Sequence, residues 1–508
     1  MVSNLRAQEE DQRERRVEVP SPTPARKNAP KTLEELRAAI QEVLARPELA
    51  PAQTAVKVAS LDTGRVLFEE NAIKLLHPAS VMKTYTVAAA LDRLTPDFRF
   101  KTSVYAKSQP DTAGTIHGDL TIYGRGDPSI SARFNNGDYN KVIDDLATRI
   151  SAAGVKRVEG DLVGDESYFT GAPLGFGWEW ADVQWYSGAE VSALSINDNS
   201  LDLFVKPGAS VGAQCVITTG PPTPLVRFTN RTTTTARGTK REVSVYRALG
   251  SNVIEVGGSL PLGDPGSTLI IAAPRPALVF IYMLRAALAA RGVTITGRSR
   301  AIDAYERAGV PLQTGSLTEI ASLQSPPLGE IAAQTFKPSQ NLYAELILRA
   351  LGSATRTDPK LSSEEAGLAA VRAFLREAGI DTSLMVLTDG SGLSRRDLIT
   401  ADSSLKLLTY MDRHRFAKAF REALPIAGVD GTLRNRMKGT VAANNVRAKT
   451  GSLPTISALS GYVTSAAGER LAFSILVNNY TNESTSRRSF IDDIAVLLAS
   501  FSGKFQGQ

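Results

Sequence analysis

Ser80 and Lys83 stand three residues apart in Ser80-Val81-Met82-Lys83. At a helix start that spacing puts a hydroxyl and an amine on one face, one turn apart. A serine hydroxyl is a weak nucleophile until a neighbour takes its proton. Lys83 can take it only when neutral, and burial and a nearby cation would both lower its pKa toward that state. Two more short motifs follow, Ser339-Gln340-Asn341 and Lys449-Thr450-Gly451. Ser339 could relay a proton to a leaving amine, with Asn341 bonding Lys83 and a substrate amide. Lys449 could be the second cation and, with Thr450, hold a substrate carboxylate. Gly451 would let a substrate backbone approach. The N–H groups of Ser80 and Ser452 could form an oxyanion hole, on a strand that continues to Leu453. The chemistry is acyl transfer through a serine ester with a lysine base.

Order carries more weight than any one motif. At average residue usage, Ser-x-x-Lys should arise roughly twice in a chain this long. Ser403 and Lys406 repeat it, and Ser195 with Asn197 repeats the middle motif. His77, His117 and His414 are too few and scattered for a metal site or a Ser-His-Asp triad. A serine enzyme here needs another base, which favours Lys83. Cys215 is alone, so no internal disulfide forms, and Ala213–Ile217 reads as a strand with a buried thiol.

The elements that must position these groups follow from patterning. Residues 1–31 are charged and Pro-rich without an apolar signal core, and read as a disordered leader or linker. Thr32 and Glu35 form a capping-box pattern before Leu33, Leu36, Ile40 and Leu44. A hairpin over 55–70 and a helix from about Ser80 to Leu94 follow. From Phe98 to Ser325 short strand-like runs alternate with turns. Only 139–153 and 277–290 read as helices there, and Thr232–Thr235 reads as an exposed strand or loop. Helices then return over 328–335, 341–351, 363–378 and 403–413, then strands at 445–450, 455–463 and 470–477, and a last helix over 488–501. Residues 32–100 and 325–508 thus read as one split α/β domain, with 101–324 a mostly β insertion. The charge of +6 is spread without a Lys/Arg stripe interleaved with aromatics, which argues against nucleic acid. No run of about 18 apolar residues predicts a transmembrane helix.

The motifs come with further segments: Gly118-Asp119-Leu120, Gly124–Pro128, Gly177-Trp178-Glu179-Trp180, Val191–Ser195, Asp389-Gly390-Ser391-Gly392-Leu393-Ser394-Arg395, Gly428–Leu433 and Ser460-Gly461-Tyr462. With them, residues 35–500 resemble the serine D-alanyl-D-alanine carboxypeptidase/endopeptidases, the class C low-molecular-mass penicillin-binding proteins of peptidase family S13. The long gap between Ser80 and Ser339 agrees, because that family carries extra domains there. The resemblance implies a penicillin-binding-protein/β-lactamase-like transpeptidase domain with an inserted β region of two small domains. It implies Ser80 as nucleophile, Lys83 as base, and supporting roles for Ser339, Asn341 and Lys449. It implies cleavage of peptidoglycan stem peptides through an acyl-enzyme, capture by β-lactams, no cofactor or metal, and a place in the periplasm or outside the cell envelope. Ala181 departs from the family, where an acidic residue often follows the second Trp, leaving Asp182. Two other readings compete: a serine β-lactamase and a non-catalytic wall-binding protein. No Glu-x-x-Leu-Asn segment supplies a class A deacylation base, and intact Ser80, Lys83 and Lys449 oppose the second.

Trp178–Asp182 with Trp185-Tyr186 sets aromatics beside an acid, which suits the aliphatic stem and amino end of a diamino-acid side chain. Arg395 could meet its carboxylate. Asp182→Ala and Arg395→Ala are therefore expected to slow hydrolysis of stem peptides far more than acylation by a simple penicillin, mainly in kcat/KM. Steady-state kinetics with both substrates checks this; equal slowing would remove the pocket.

Overall fold

Two apolar runs near the N-terminus and three near the C-terminus meet in one antiparallel sheet. Its order is Arg447–Leu453, Ile456–Thr464, Arg470–Asn478, Gln53–Ser60, Val66–Glu70. The computed structural model describes residues 29–480 and 489–503, so the leader expected over 1–31 lies almost wholly outside the described residues. Residues 456–463 are buried without alternation, the mark of a strand covered on both faces. Helices Leu33–Leu44 and Ser489–Ser500 share one apolar core with the sheet. Thr32 and Glu35 close the expected capping box. Helix Ala401–Arg413 packs against the sheet as well, and Tyr462 Oη donates to its Leu408 carbonyl at 2.8 Å. None of the described helices is long and apolar enough to cross a membrane.

Behind Ser80 lie three further helices, Lys83–Leu94, Asn341–Thr355 and Ser363–Glu377. Residues 342–352 are buried on every side, Glu345 and Arg349 included. Small residues make this possible. A Cβ at Gly352 would overlap the Ser363 carbonyl, and one at Gly367 the Leu348 carbonyl. The expected continuous helix from Ser80 is in fact two pieces, a 3₁₀ turn over Ala79–Met82 and then the α-helix from Lys83. Ala79 holds a left-handed φ of 44°, which costs a side-chain-bearing residue about 1–2 kcal/mol and keeps the helical path from extending back beyond the turn.

Backbone contacts divide the chain into two units: 1–98, 175–177 and 327–508, and 99–174 with 178–326. The short segment Gly175–Gly177 belongs to the first unit, where the Arg396 guanidinium lies 4.6 Å over the Phe176 ring. The second unit contains a five-stranded mixed sheet ordered Ser299–Ile302, Leu162–Asp165, Leu120–Tyr123, Lys101–Ala106, Thr318–Gln324. Three smaller sheets and helices Asn140–Ala152 and Pro276–Ala289 complete it around a shared apolar core. Thr232–Thr235 ends strand Arg227–Thr235, but Thr232 and Thr234 are buried, against expectation. Their hydroxyls accept the N–H groups of Cys215 and Gly208, which lets polar side chains face inward. Cys215 is a buried free thiol.

Gly352→Ala tests the helix crossing by its sign. Helix propensity alone would stabilise by about 1 kcal/mol. Overlap with the Ser363 carbonyl should instead destabilise by about 1–3 kcal/mol. Urea unfolding decides, and a stabilised variant would show that the helices are not in close contact.

Candidate active site

The Ala79–Met82 turn presents Ser80, half-buried, while Lys83 begins the next helix with no exposure. Lys83 Nζ lies 2.9 Å from Ser80 Oγ, 2.6 Å from Asn341 Oδ1 and 2.7 Å from the Ser391 carbonyl. Burial holds its pKa down to about 7 against the pull of Asp389, Glu345 and Asp397, which favour the ammonium. Lys449 is pushed well below the usual lysine range by burial and then by the charge on Lys83. The expected repulsion between the lysines thus falls on Lys449.

Ser339 closes one helix and Gln340 opens the next. Ser339 N–H reaches the Phe336 carbonyl and Gln340 N–H the Thr335 carbonyl, the bond pair of a Schellman turn. Ser339 takes the left-handed position, φ 61°, where glycine is usual. The residue that caps helix Asn341–Thr355 is Gln340, whose side chain accepts from Leu342 N–H. The Ser339 hydroxyl instead accepts from Lys449 Nζ at 2.8 Å.

The Lys-Thr-Gly strand lies on the sheet edge. Ala448 N–H donates outward to the Pro425 carbonyl at 3.0 Å. Alternation then turns the N–H groups of Thr450 and Ser452 to the same outer edge. Lys449 Nζ also donates to the Thr450 carbonyl at 2.9 Å, and Thr450 Oγ1 pairs with Thr432 Oγ1 at 2.8 Å. Ser452 is exposed and Leu453 half-buried. A Cβ at Gly451 would overlap the Pro78 carbonyl. The glycine is therefore required by the chain's own approach to the Ser80 turn, not only by a substrate.

Two groups of partners were not assigned from the motifs. The Asp389–Arg395 segment is wound on one carboxylate: Asp389 Oδ1 accepts Ser391 N–H and Gly392 N–H, and Oδ2 accepts Ser394 N–H. That winding aims the Ser391 carbonyl at Lys83. In the Gly428–Leu433 segment, Thr432 N–H bonds the Lys337 carbonyl and Lys337 is ion-paired to Asp430, which ties the Ser339 corner to Thr450. Both segments were visible in the sequence, but only as parts of a resemblance.

Arg395 lies half-buried in the first unit. Asp182 and Tyr186 belong to the second. There Asp182 accepts Glu179 N–H at 3.1 Å, Tyr186 opens a 3₁₀ turn, Trp185 is buried and Trp180 exposed. The decoys serve structure: Ser403 completes the capping box of Thr400 at the start of helix Ala401–Arg413, Lys406 pairs with Asp402, and Ser195 bonds the Ser192 carbonyl. His77 is near Ser80 in sequence, yet its Nδ1 meets the Asp397 carbonyl at 3.1 Å.

A serine with a buried lysine, a second lysine bonded to a second serine, and an outward-facing strand edge form a site for acyl transfer. The family model of the D-Ala-D-Ala carboxypeptidase 3 (S13) family matches residues 36–501. The chain belongs to this family. It is a serine-type D-alanyl-D-alanine carboxypeptidase, and the β-lactamase and non-catalytic readings give way. Among its relatives is the D-alanyl-D-alanine carboxypeptidase of Actinomadura sp. (strain R39), 35% identical over 93% of this chain and 86% of that protein. Another is the D-alanyl-D-alanine carboxypeptidase DacB of Haemophilus influenzae, 26% identical over 85% and 87% of the two chains. The crystal structure of penicillin binding protein 4 (dacB) from Haemophilus influenzae matches with a TM-score of 0.77 at 25% identity, covering 90% of this chain and 97% of that one.

In this S13 carboxypeptidase a Cβ at Gly392 would overlap the Ala79 carbonyl, and Gly392 has a φ of 76°. Gly392→Ala should push the Asp389 loop off the nucleophile turn and slow acylation on the order of 10²-fold. Stopped-flow labelling with a fluorescent penicillin measures it. A wild-type rate would separate the loop from the site.

Proposed function

We propose that Ser80 is the nucleophile and Lys83, as a neutral amine, the base in cleaving the terminal D-Ala-D-Ala bond of peptidoglycan stem peptides. One observation carries this. Of the three groups on Lys83 Nζ, the Asn341 amide oxygen and the Ser391 carbonyl can only accept. An amine that has lost a proton keeps two donors and gains a lone pair. Its donors go to those two oxygens, and the lone pair is left for the Ser80 hydroxyl. Neutral Lys83 is thereby aimed at the proton it must remove.

Attack of Ser80 Oγ on the penultimate D-Ala carbonyl forms a tetrahedral oxyanion, for which the N–H groups of Ser80 and Ser452 are the donors. The proton that Lys83 takes from Ser80 passes by way of the Ser339 hydroxyl, which Lys449 holds, to the departing D-Ala amine, and this returns Lys83 to the neutral amine. A substrate carboxylate at Thr450 brings negative charge beside Lys449 and raises its readiness to carry that proton. Water activated by Lys83 then releases the acyl group. The same site suits D-Ala–diamino-acid cross-links and capture of β-lactams, in keeping with a Haemophilus influenzae structure described as complexed with a novel β-lactam. Arg395, in the unit that holds Ser80, would meet a carboxylate of the stem side chain, and Asp182 and Tyr186 remain substrate-binding candidates of the other unit. Such substrates place the enzyme outside the cytoplasm.

Lys83→Arg should be nearly as inactive as Lys83→Ala, because arginine keeps the charge but cannot give up its proton. In the wild type, acylation should fall as pH drops through about 7, where Lys83 gains a proton and ceases to be a base. Acylation rates from pH 5 to 9 and the mass of the adduct in Ser80→Ala check both. A fast Arg variant, or an adduct in Ser80→Ala, would overturn the assignment.

A further inference from the structure

Asn341, Glu345 and Arg349 follow one another at four-residue steps along one face of helix Asn341–Thr355. Asn341 grips Lys83 directly. Glu345, one turn on, is wholly buried, and its Oε1 accepts Gly390 N–H at 3.0 Å. Gly390 is the residue before Ser391, whose carbonyl holds Lys83 Nζ. Its own carbonyl accepts Thr86 Oγ1 at 2.8 Å, from the helix that Lys83 begins. Gly390 is thus pinned on one side by Glu345 and on the other by the lysine's own helix.

The charge state of Glu345 follows from its surroundings. Its Oε2 has no hydrogen-bond partner among the described residues. An ionised carboxylate so far out of water is costly, whereas a protonated one is tolerated. Burial raises its pKa well above the usual carboxylate range, Asp389 and Glu364 push it further, and Arg349 and a hydrogen bond from the Ser391 side chain oppose them. Arg349 lies 3.8 Å from the Glu364 carboxylate. Lys83, Asp397 and Arg372 are further charged groups around this loop; the Asp397 carboxyl is likewise raised, chiefly by burial and then by Asp389.

We propose that Glu345 is a positioning residue that works as a neutral carboxylic acid, fixing Gly390 so that the Ser391 carbonyl orients the Lys83 amine. It touches no substrate and moves no proton in turnover. The proposal rests on Lys83 acting as the base toward Ser80.

The test uses the full chain and penicillin acylation followed against pH, in wild type, Glu345→Gln, Glu345→Met and Glu345→Asp. Peptide mapping first locates the wild-type adduct: on another residue it overturns the reading of Ser80 and this proposal with it, and on Ser80 the variants judge Glu345 alone. Gln keeps an uncharged oxygen at the right reach, so its rate should stay within about threefold of wild type and its acid limb should not move. Met has no acceptor and Asp is too short to reach Gly390, so both should be slower on the order of 10²-fold. Three results would each overturn the proposal: a Gln variant as slow as Met, an acid limb displaced in Gln, or Met or Asp acylating at the wild-type rate. If Met fails to fold, the rate and acid limb of the Gln variant still decide.

Discussion

A lysine amine held out of water is the constraint on which the catalytic unit depends. Removing an ammonium from solvent is expensive, and the expense is what brings the Lys83 pKa down to about 7. Three oxygens must then stand at hydrogen-bond distance from one nitrogen, and they come from three distant parts of the chain: residues 80, 341 and 391. The sheet, the buried helices and the loop wound on Asp389 bring these segments together. Their close packing leaves the Lys83 side chain with no exposure to solvent.

The packing also explains where the backbone is strained. Ala79 and Ser339 both take left-handed conformations, although neither is glycine. Each lies at or beside a reactive hydroxyl. Around them, Gly392 and Gly451 are glycines because backbone carbonyls occupy the space a Cβ would need. Side chains are kept where chemistry needs them and dispensed with where the main chain must pass closely. The strain costs stability locally, and burial elsewhere in the unit offsets it.

Much of the site was legible because its motifs are short. Ser80 and Lys83 are brought together by a single turn, and Lys449 by strand alternation. The α/β class, the first capped helix and the C-terminal strands followed from hydrophobic period. What escaped had no local signature. A positive φ at Ala79 leaves no trace in residue type, so the 3₁₀ turn read as helix. Glu345 and Arg349 look like the polar side of an amphipathic helix, and only tertiary packing shows that helix surrounded. Thr232 and Thr234 read as surface because their inward hydroxyls find backbone partners that no pattern reveals. The roles of Ser391 and Thr432 needed the loops to be closed, since each acts through a contact across many residues.

The central sheet has one more consequence, for the order of events during synthesis. Strand Gln53–Ser60 lies beside Arg470–Asn478, with Ala59 opposite Ala472. The chain therefore emerges from the ribosome with Ser80 early and most of the sheet late. The unit of 99–174 and 178–326 can gather its core meanwhile, but the sheet cannot close until the last strands arrive. The partners that Lys83 finds in Asn341 and Ser391 are likewise made hundreds of residues after it. The buried state of that amine is thus withheld by topology until the polypeptide is nearly complete.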